Sequence, residues 1–420
     1  MKRHLLILAW MMPPLIFPRS LQISRVLRAM SKKGWHSKVV AASPDAEPQA
    51  VHDYNLEQFY KDSYDIEYVD PRENIGPKPI WLRAFRFFFP IKNKHYSKWI
   101  DKACDTLYQQ IAKERPQTFI SFAQPWIVHH VALRVKQRYP NIPWVACFSD
   151  PWVDSLYFNP ENDKIRAKEM QYEKEVISAA DIVVFTTQET ADIVMGKYPP
   201  SWKSKTQIVS HGYDADLSGR IAHQPKSEKF TMVHTGNIYE RREPFAFLQA
   251  LAKLRLKINS SAIHVKLIGY ASPAMHEEVE KLALDDIVTF APAVPFLDSL
   301  AIAKSADLLL VIDAPSKNNI FLPSKIVDYL SLRRPILALT PKIGASSRVL
   351  GGLGFPTVDP TDETAIFEIL SQSMDRWQKG EDATPLPPID AVKHFDVCEI
   401  ANDLETAVMK ATKAVENKNV

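Results

Sequence analysis

Short apolar runs alternate with longer stretches of helical periodicity along the chain, the pattern of a parallel sheet whose strands are joined by crossover helices. In the first half the apolar runs predict strands at Leu5 to Trp10, Lys38 to Ala42, Ile66 to Val69, Thr118 to Phe122, Trp144 to Phe148 and Ile182 to Thr186. Helical spacing fills the intervals, as at Leu21 to Lys32, Ser97 to Glu114 and Val128 to Arg138. Apolar periodicity lapses over Asp214 to Lys229, a polar stretch that reads as a linker. A second set of strands follows at Phe230 to His234, Val265 to Gly269, Val288 to Phe290, Leu308 to Ile312 and Ile336 to Leu339. Each half therefore reads as one doubly wound α/β unit, and ligands of such sheets bind beyond the carboxyl ends of the strands. The expected organisation is a first domain over 1–215, a second over 228–390, and a helix in 391–420 packing back toward the first.

At 420 residues the chain exceeds one typical core, in agreement with two units. Its 46% hydrophobic content is that of a soluble globular protein, and a net charge of +3 offers no global field for nucleic acid. Cys104, Cys147 and Cys398 have neither zinc spacing nor an even count for a disulfide framework, so a reducing compartment fits. The apolar opening Leu5 to Met12 stops at Pro13-Pro14 with no small-residue cleavage site after it, which favours a buried first strand over a signal peptide. No run reaches the ~18 consecutive apolar residues of a spanning helix, and a cytoplasmic protein is expected. With 12 glycines, the chain has no dinucleotide fingerprint, Walker loop, nucleophile elbow or zinc-protease motif. Gly351-Gly352-Leu353-Gly354 reads as a turn before a short strand, and Asp285-Asp286 as a turn rather than a metal pair.

Two segments carry the candidate chemistry of the second half. Phe321-Leu322-Pro323-Ser324-Lys325-Ile326-Val327-Asp328-Tyr329-Leu330 reads as a helix opened by proline, whose fixed φ and missing N–H suit a first turn. Lys325 occupies the end where the helix dipole disfavours a cation, a placement that makes sense where an anion shares the free N–H groups. Asp328, three residues on, points the same way. The plain alternative is an amphipathic helix with a charged outer face, in which Asp328 only serves the dipole. In the other segment, Val233-His234-Thr235-Gly236-Asn237-Ile238-Tyr239 ends a strand in a glycine turn before Arg241-Arg242-Glu243-Pro244. Gly236 permits close approach of backbone to a ligand, and guanidinium groups grip phosphate bidentately. The alternative is a pair of solvated loop arginines.

The first half is less marked. Asp150 lies just past a strand, placed to hydrogen-bond or polarise a hydroxyl, or else to serve as a turn carboxylate before Pro151. Trp152 stacks on a sugar face or simply packs. Arg19 and Ser20 follow Pro13-Pro14 near the start of the next helix, where they contact a phosphate or an acceptor, unless Ser20 is a plain cap. His130 sits near another helix start, where its ring meets a phosphate or is structural. The stretch from Trp81 to Trp99 interleaves aromatics with Arg83, Arg86, Lys92, Lys94 and Lys98. It suits peripheral contact with an anionic membrane, and equally an aromatic core edge with exposed lysines.

Taken in order, these pieces resemble GT-B glycosyltransferases of the large family 4 (glycosyl transferases group 1) type. In the second half the resemblance rests on His234 to Pro244, on Ser305-Ala306-Asp307-Leu308-Leu309-Leu310 and above all on the Leu322 to Leu330 helix. In the first half it rests on Phe148-Ser149-Asp150-Pro151-Trp152, Ala180-Asp181-Ile182-Val183-Val184 and His211-Gly212-Tyr213-Asp214, so it covers nearly the whole chain. It implies a GT-B fold, with two Rossmann-like doubly wound domains facing an interdomain cleft. It also implies transfer of a sugar from a nucleotide-diphosphate donor to a glycan or lipid-linked acceptor in cell-surface polysaccharide synthesis, with retention and without metal or cofactor. Arg242 and Lys325 correspond to the basic residues that bind the donor diphosphate, among Gly236, Asn237, Tyr239, Arg241 and Ser324. Asp328 stands where most members carry the second of two glutamates, which contacts the ribose. The first would fall at Ile320, and a subset with a Pro-Ser-Lys start lacks it too. A glycine-rich loop of the family is replaced here by Leu15-Ile16-Phe17-Pro18-Arg19-Ser20. His130 has the spacing of a histidine common in related sequences, and with Asp150, Arg242 and Lys325 completes the expected catalytic set. The rivals are a sugar-nucleotide epimerase of the same fold and a non-catalytic nucleotide-sugar-binding subunit. The expected location is the cytoplasm, with association at the cytoplasmic face of a membrane.

Overall fold

Runs such as Leu5-Leu6-Ile7-Leu8-Ala9 and Leu308-Leu309-Leu310-Val311-Ile312 are apolar at every position, so strands made of them need cover on both faces. Parallel sheets flanked by helices provide it. The structure, a computed structural model, describes residues 3–71, 94–155, 158, 160, 162–238, 240–257 and 262–418. The chain forms two units, Met1–Ser210 with Val397–Val420, and His211–Asp396.

The first unit holds β1 (Arg3–Ala9), β2 (Trp35–Ala42), β3 (Asp65–Val69), β4 (Thr118–Phe122), β5 (Trp144–Phe148), β6 (Ile182–Phe185) and β7 (Thr206–Ile208). They form a seven-stranded sheet in the order β3-β2-β1-β4-β5-β6-β7, with every pairing parallel. The second unit holds β8 (Phe230–Thr235), β9 (Ile263–Ile268), β10 (Val288–Ala291), β11 (Leu308–Ile312), β12 (Ile336–Leu339) and β13 (Thr357–Val358). Its six-stranded sheet has the order β10-β9-β8-β11-β12-β13, again parallel throughout. The direction of winding reverses between β1 and β4 in one sheet and between β8 and β11 in the other. Loops leaving the carboxyl ends run in opposite directions there, the position at which sheets of this kind bind ligands.

Both sheets carry the same latch at their amino ends. Asp181, just before β6, donates its backbone N–H to the Trp144 carbonyl at 3.0 Å, and its Oδ2 accepts the Trp144 N–H at 3.0 Å. Asp307, just before β11, exchanges the same two bonds with Thr231 of β8, each 2.9 Å long. The Asp181 carboxylate is fully buried and also takes Lys136 Nζ at 2.7 Å and Lys418 Nζ at 2.9 Å. Lys418 lies just beyond the helix Val397–Glu416, which packs in the first unit against the helix Pro18–Lys32 and strands β4 to β7. Glu405 of that helix pairs with Arg3 at 2.9 Å and accepts the Trp35 indole N–H at 2.9 Å.

Several boundaries differ from the sequence expectation. Strand β2 starts at Trp35, directly after Gly34 turns the chain out of the preceding helix with φ of +83°. Strand β7 has no apolar run to announce it, because its three residues are only half-buried at a sheet edge. Gly351 and Gly352 are not a turn but the end of the helix Ala345–Gly352, and the turn falls at Leu353 and Gly354. The helix expected to open at Pro323 starts at Lys325, with the Pro323 carbonyl accepting the Ile326 N–H at 3.0 Å. Within the stretch Trp81 to Trp99, residues 81–93 lie outside the described residues. Trp99 itself is buried and meets Trp10 edge-on at 4.9 Å. Among the described residues no helix is long and apolar enough to cross a membrane.

Lys136 Nζ is shared between the Asp181 carboxylate and the Ile142 carbonyl at 2.8 Å, so removing the carboxylate leaves a buried ammonium against a backbone oxygen alone. Asp181→Ala is expected to cost about 3–5 kcal/mol of stability, the usual penalty for stranding a buried charge. Denaturant unfolding checks this, and a midpoint equal to that of wild type refutes it.

Candidate functional site

Strand β8 delivers His234, Thr235 and Gly236 to the carboxyl end of the second sheet, beside the reversal between β8 and β11. Gly236 has φ of +128°, and a Cβ there would come within 2.5 Å of Lys325 Nζ. The lysine side chain therefore lies against bare backbone. Lys325 is the first residue of the helix Lys325–Leu332 and is half-buried, with Nζ 3.1 Å from His234 Nε2. His234 is buried, and its Nδ1 lies 2.8 Å from the Leu310 carbonyl oxygen, which only accepts. Nδ1 must carry the proton, so Nε2 accepts from the lysine.

Burial, then the nearby Arg242 guanidinium, lower Lys325 to about 7 against the opposing pull of Asp313 and Asp328. Burial, then Lys325, hold His234 well below its ordinary range, so the ring stays neutral. Arg242 is half-buried at the end of the turn Glu240–Arg242, and its charge acts on Lys325, His234 and Asp313 alike. Arg241 on the same turn is exposed. Asp313 follows β11 and is buried, accepting from Asn319 Nδ2 at 2.7 Å and Thr340 Oγ1 at 2.8 Å; burial raises its pKa.

The helix is tied to the strand by Tyr329, whose hydroxyl accepts the Thr235 N–H at 2.9 Å, and burial pushes that phenol up to about 12. Ser324, just before the helix, makes no side-chain cap to it. Asp328 is buried in the first turn, and its charge acts on Lys325. Asn237 braces the loop: its Oδ1 accepts the Tyr270 N–H at 3.0 Å, and Ile238 donates to the Tyr270 carbonyl at 2.7 Å. The two loops are pressed together so closely that a Cβ on Gly269 would stand 2.7 Å from the Gly236 oxygen. Tyr239 lies outside the described residues. Ile320 is buried, and Asn319 beside it holds the loop before the helix Ala345–Gly352 through its carbonyl, 2.7 Å from the Ala345 nitrogen. Two cationic side chains and a helix start thus converge on one strand end, an arrangement suited to a small anion.

In the first unit, Asp150 is half-buried after β5, and its Oδ2 accepts from Gln124 Nε2 at 3.0 Å and Ser149 Oγ at 3.3 Å. Arg19, in the first turn of the helix Pro18–Lys32, reaches the Cys147 carbonyl with Nη2 at 3.0 Å and feels the Asp150 charge. Ser20 turns inward instead: buried, it accepts the Phe17 N–H at 3.1 Å and donates to the Leu15 carbonyl at 2.6 Å. Trp152 has no face open to a sugar. It is fully buried, stacked on Trp126 at 4.9 Å, and its indole N–H donates to Glu169 at 2.9 Å. His130 lies between helices, edge-on to Tyr172 at 4.2 Å and Trp152 at 5.4 Å, and burial lowers it to about 4. Its neighbour His129 is the one that faces β4, with Nδ1 3.0 Å from Ser121 Oγ.

Sequence pattern alone does not single out His234, Asp313, Gln124 or His129. For His234 and Asp313 the available signal was a polar residue ending or following an all-apolar strand, in Val-His-Thr-Gly and Leu-Val-Ile-Asp. Among the described residues no cluster of three or more His, Cys, Asp or Glu is placed to hold a metal ion.

No family model and no curated protein matches the chain. Among solved structures it is similar to sucrose-phosphate synthase from Thermosynechococcus elongatus, with a TM-score of 0.67 at 14% identity over 96% of this chain and 98% of that one. It is also similar to HepE of Anabaena in complex with UDP-glucose, with a TM-score of 0.65 at 13% identity over 96% and 98%. A third is a protein described as a UDP-N-acetylglucosamine 2-epimerase from Listeria monocytogenes, with a TM-score of 0.60 at 11% identity over 97% and 96%. The chain has the GT-B fold, built of two Rossmann-like doubly wound units.

Gly236→Ala combines a left-handed φ with a collision at Lys325 Nζ, whereas Gly380 has φ of +75° and nothing within 4 Å of where a methyl group would stand. Gly236→Ala is expected to lose about 1–3 kcal/mol from backbone strain, plus the cost of displacing the lysine. Unfolding curves of the two alanine variants compare strain alone with strain plus collision. An unchanged stability in Gly236→Ala would show that the left-handed turn is not enforced there.

Proposed function

We propose that the protein is a glycosyltransferase that takes a sugar from a nucleotide-diphosphate donor bound at the carboxyl end of the second sheet. The observation that carries this reading is Lys325, set against Gly236, bonded to a neutral His234 and close to Arg242. Such a lysine is half out of water and short of negative charge, and a diphosphate supplies it. Transfer breaks the bond between the anomeric carbon and the outer phosphate oxygen, and negative charge builds on the leaving diphosphate. Lys325, Arg242 and the N–H groups of the helix start are placed to stabilise that charge as it develops. In the first unit, Asp150 orients the acceptor hydroxyl.

Retention of configuration and independence of metal belong to this proposal, as does a glycan or lipid-linked acceptor. Support for a nucleotide sugar as donor comes from HepE, whose solved structure is a complex with UDP-glucose. A second reading, a sugar-nucleotide epimerase, is favoured by the likeness to the Listeria protein. The two part on one measurement: a transferase releases nucleoside diphosphate in proportion to acceptor consumed, and an epimerase interconverts sugars with no acceptor.

Lys325→Ala and Arg242→Ala are each expected to lose roughly 10²-fold in turnover, the usual loss for one charge-stabilising donor. Asp150→Asn is expected to suppress transfer while UDP affinity stays near that of wild type. Near-normal donor kinetics in both basic variants would sink the assignment. The pH dependence has a definite sign. Lys325 titrates at about 7 in the free protein, so above that pH it is neutral, and an arriving diphosphate must draw in a proton. UDP affinity should therefore fall as pH rises from about 7 toward about 9, with proton uptake visible by calorimetry in buffers of different ionisation enthalpy. Lys325→Ala should flatten that slope, and an unchanged slope would remove the lysine from the site.

A further inference from the structure

The loops that leave β4 and β5 are joined side by side by matched contacts. At the strand ends Phe122 pairs with Cys147, and Ala123 donates its backbone N–H to the Cys147 carbonyl at 3.1 Å. Beyond the strands the side chains take over. Gln124 Nε2 donates to Asp150 Oδ2 at 3.0 Å. Two residues further along each loop, Trp126 stacks on Trp152 with centroids 4.9 Å apart and planes 5° from parallel. The helix Asp163–Ala179 fixes this second contact from behind: Glu169 accepts the Trp152 indole N–H at 2.9 Å, and Glu173 accepts the Val153 N–H at 3.3 Å. Glu173 is held in turn by the Tyr198 hydroxyl at 2.6 Å and Lys197 Nζ at 2.5 Å. The path of the loop after β5 is thus set by Trp152 and Val153, independently of what meets the Asp150 carboxylate.

Gln124 and Asp150 are both half-buried beyond the carboxyl ends of their strands, where sheets of this kind bind ligands. An amide turned oxygen-first would set two acceptors against each other, so the N–H faces Oδ2. The Ser149 hydroxyl also reaches Oδ2, but at 3.3 Å, beyond the usual range for an O–H donor, so the amide makes the better bond of the two. We propose that Gln124 is a positioning residue: its amide N–H holds the Asp150 carboxylate in the orientation that meets the acceptor hydroxyl. This rests on the reading of Asp150 as the group that orients that hydroxyl. Without the amide the carboxylate is free to turn, while the loop stays where Trp126, Trp152 and Glu173 keep it. A glutamate at 124 sets a second carboxyl at hydrogen-bond distance, and such a pair stays together by sharing a proton.

The test reads Asp150 directly in full-length protein with isotope-labelled aspartate. The Asp150 carboxyl signal, assigned by its loss in Asp150→Asn, is followed through a pH titration of wild type and Gln124→Leu. A donor to the ionised form lowers a carboxyl pKa, so the midpoint is expected to rise by about one pH unit in Gln124→Leu. The Arg19 charge that acts on Asp150 is present in both proteins. Release of UDP from UDP-glucose, with water as acceptor, gives the second readout. Gln124→Leu is expected to lower kcat roughly tenfold with KM for UDP-glucose unchanged, since the donor is held by the second unit. Gln124→Glu is expected to lose more at about pH 8 and to recover toward about pH 5, where the shared proton restores a donor to Asp150. An Asp150 midpoint that does not move in Gln124→Leu, or a Gln124→Glu defect that is the same at every pH, overturns the proposal. Should Gln124→Leu fail to fold, Gln124→Glu keeps the size of the side chain, and its Asp150 signal must still titrate above that of wild type. If wild type does not turn over UDP-glucose, the transferase reading fails with that donor, and the carboxyl titration alone decides whether Gln124 holds Asp150.

Discussion

Parallel strands have no tight turn to set their register, and a slip of one residue would move every side chain to the opposite face. In both units a buried aspartate does that work. Asp181 and Asp307 each exchange two bonds with the first residues of the neighbouring strand, at the amino end of the sheet. The pairings Val145 with Ile182 and Leu308 with Met232 follow directly. With the amino ends pinned, the carboxyl ends arrive where His234, Gly236 and Asp313 share one corner, and where Ser121 and Phe148 face His129.

The two corners handle protons in opposite ways. At the second sheet a backbone carbonyl fixes the His234 proton on Nδ1, so the ring offers a lone pair to Lys325. At the first sheet Ser121 Oγ accepts the Trp144 indole N–H and directs its own proton to His129 Nδ1, so the ring carries its proton on Nε2 and offers a donor. Burial keeps both imidazoles neutral. Each ring thus has its tautomer set by the fold.

Much of this was legible in the residues. The fully buried strands Thr118–Phe122, Trp144–Phe148, Leu308–Ile312 and Ile336–Leu339 stand where their runs predict them, because a strand buried on both faces reads as a nearly continuous apolar run with sharp limits. Edge strands β7 and β13 are only three and two residues long and partly exposed, too short to show a pattern. Lys325 and Arg242 were visible as charges in unusual places. The choice between His129 and His130 was not, since adjacent helical residues differ by about 100° in direction and only packing sets the phase. Trp152 was ambiguous for a related reason: whether an aromatic after a strand faces solvent depends on Glu169 and Trp126, which are distant in sequence or on another element.

The helix Val397–Glu416 belongs to the first unit, although the whole of His211–Asp396 is made before it. During synthesis the first sheet therefore emerges without the apolar face of Ile400, Leu404 and Val408 that will cover it. It waits in that state for the second unit, on the order of ten seconds at ~5–20 residues per second. The unit that starts first is the one completed last, and its exposed face is a natural client for a chaperone in the interval.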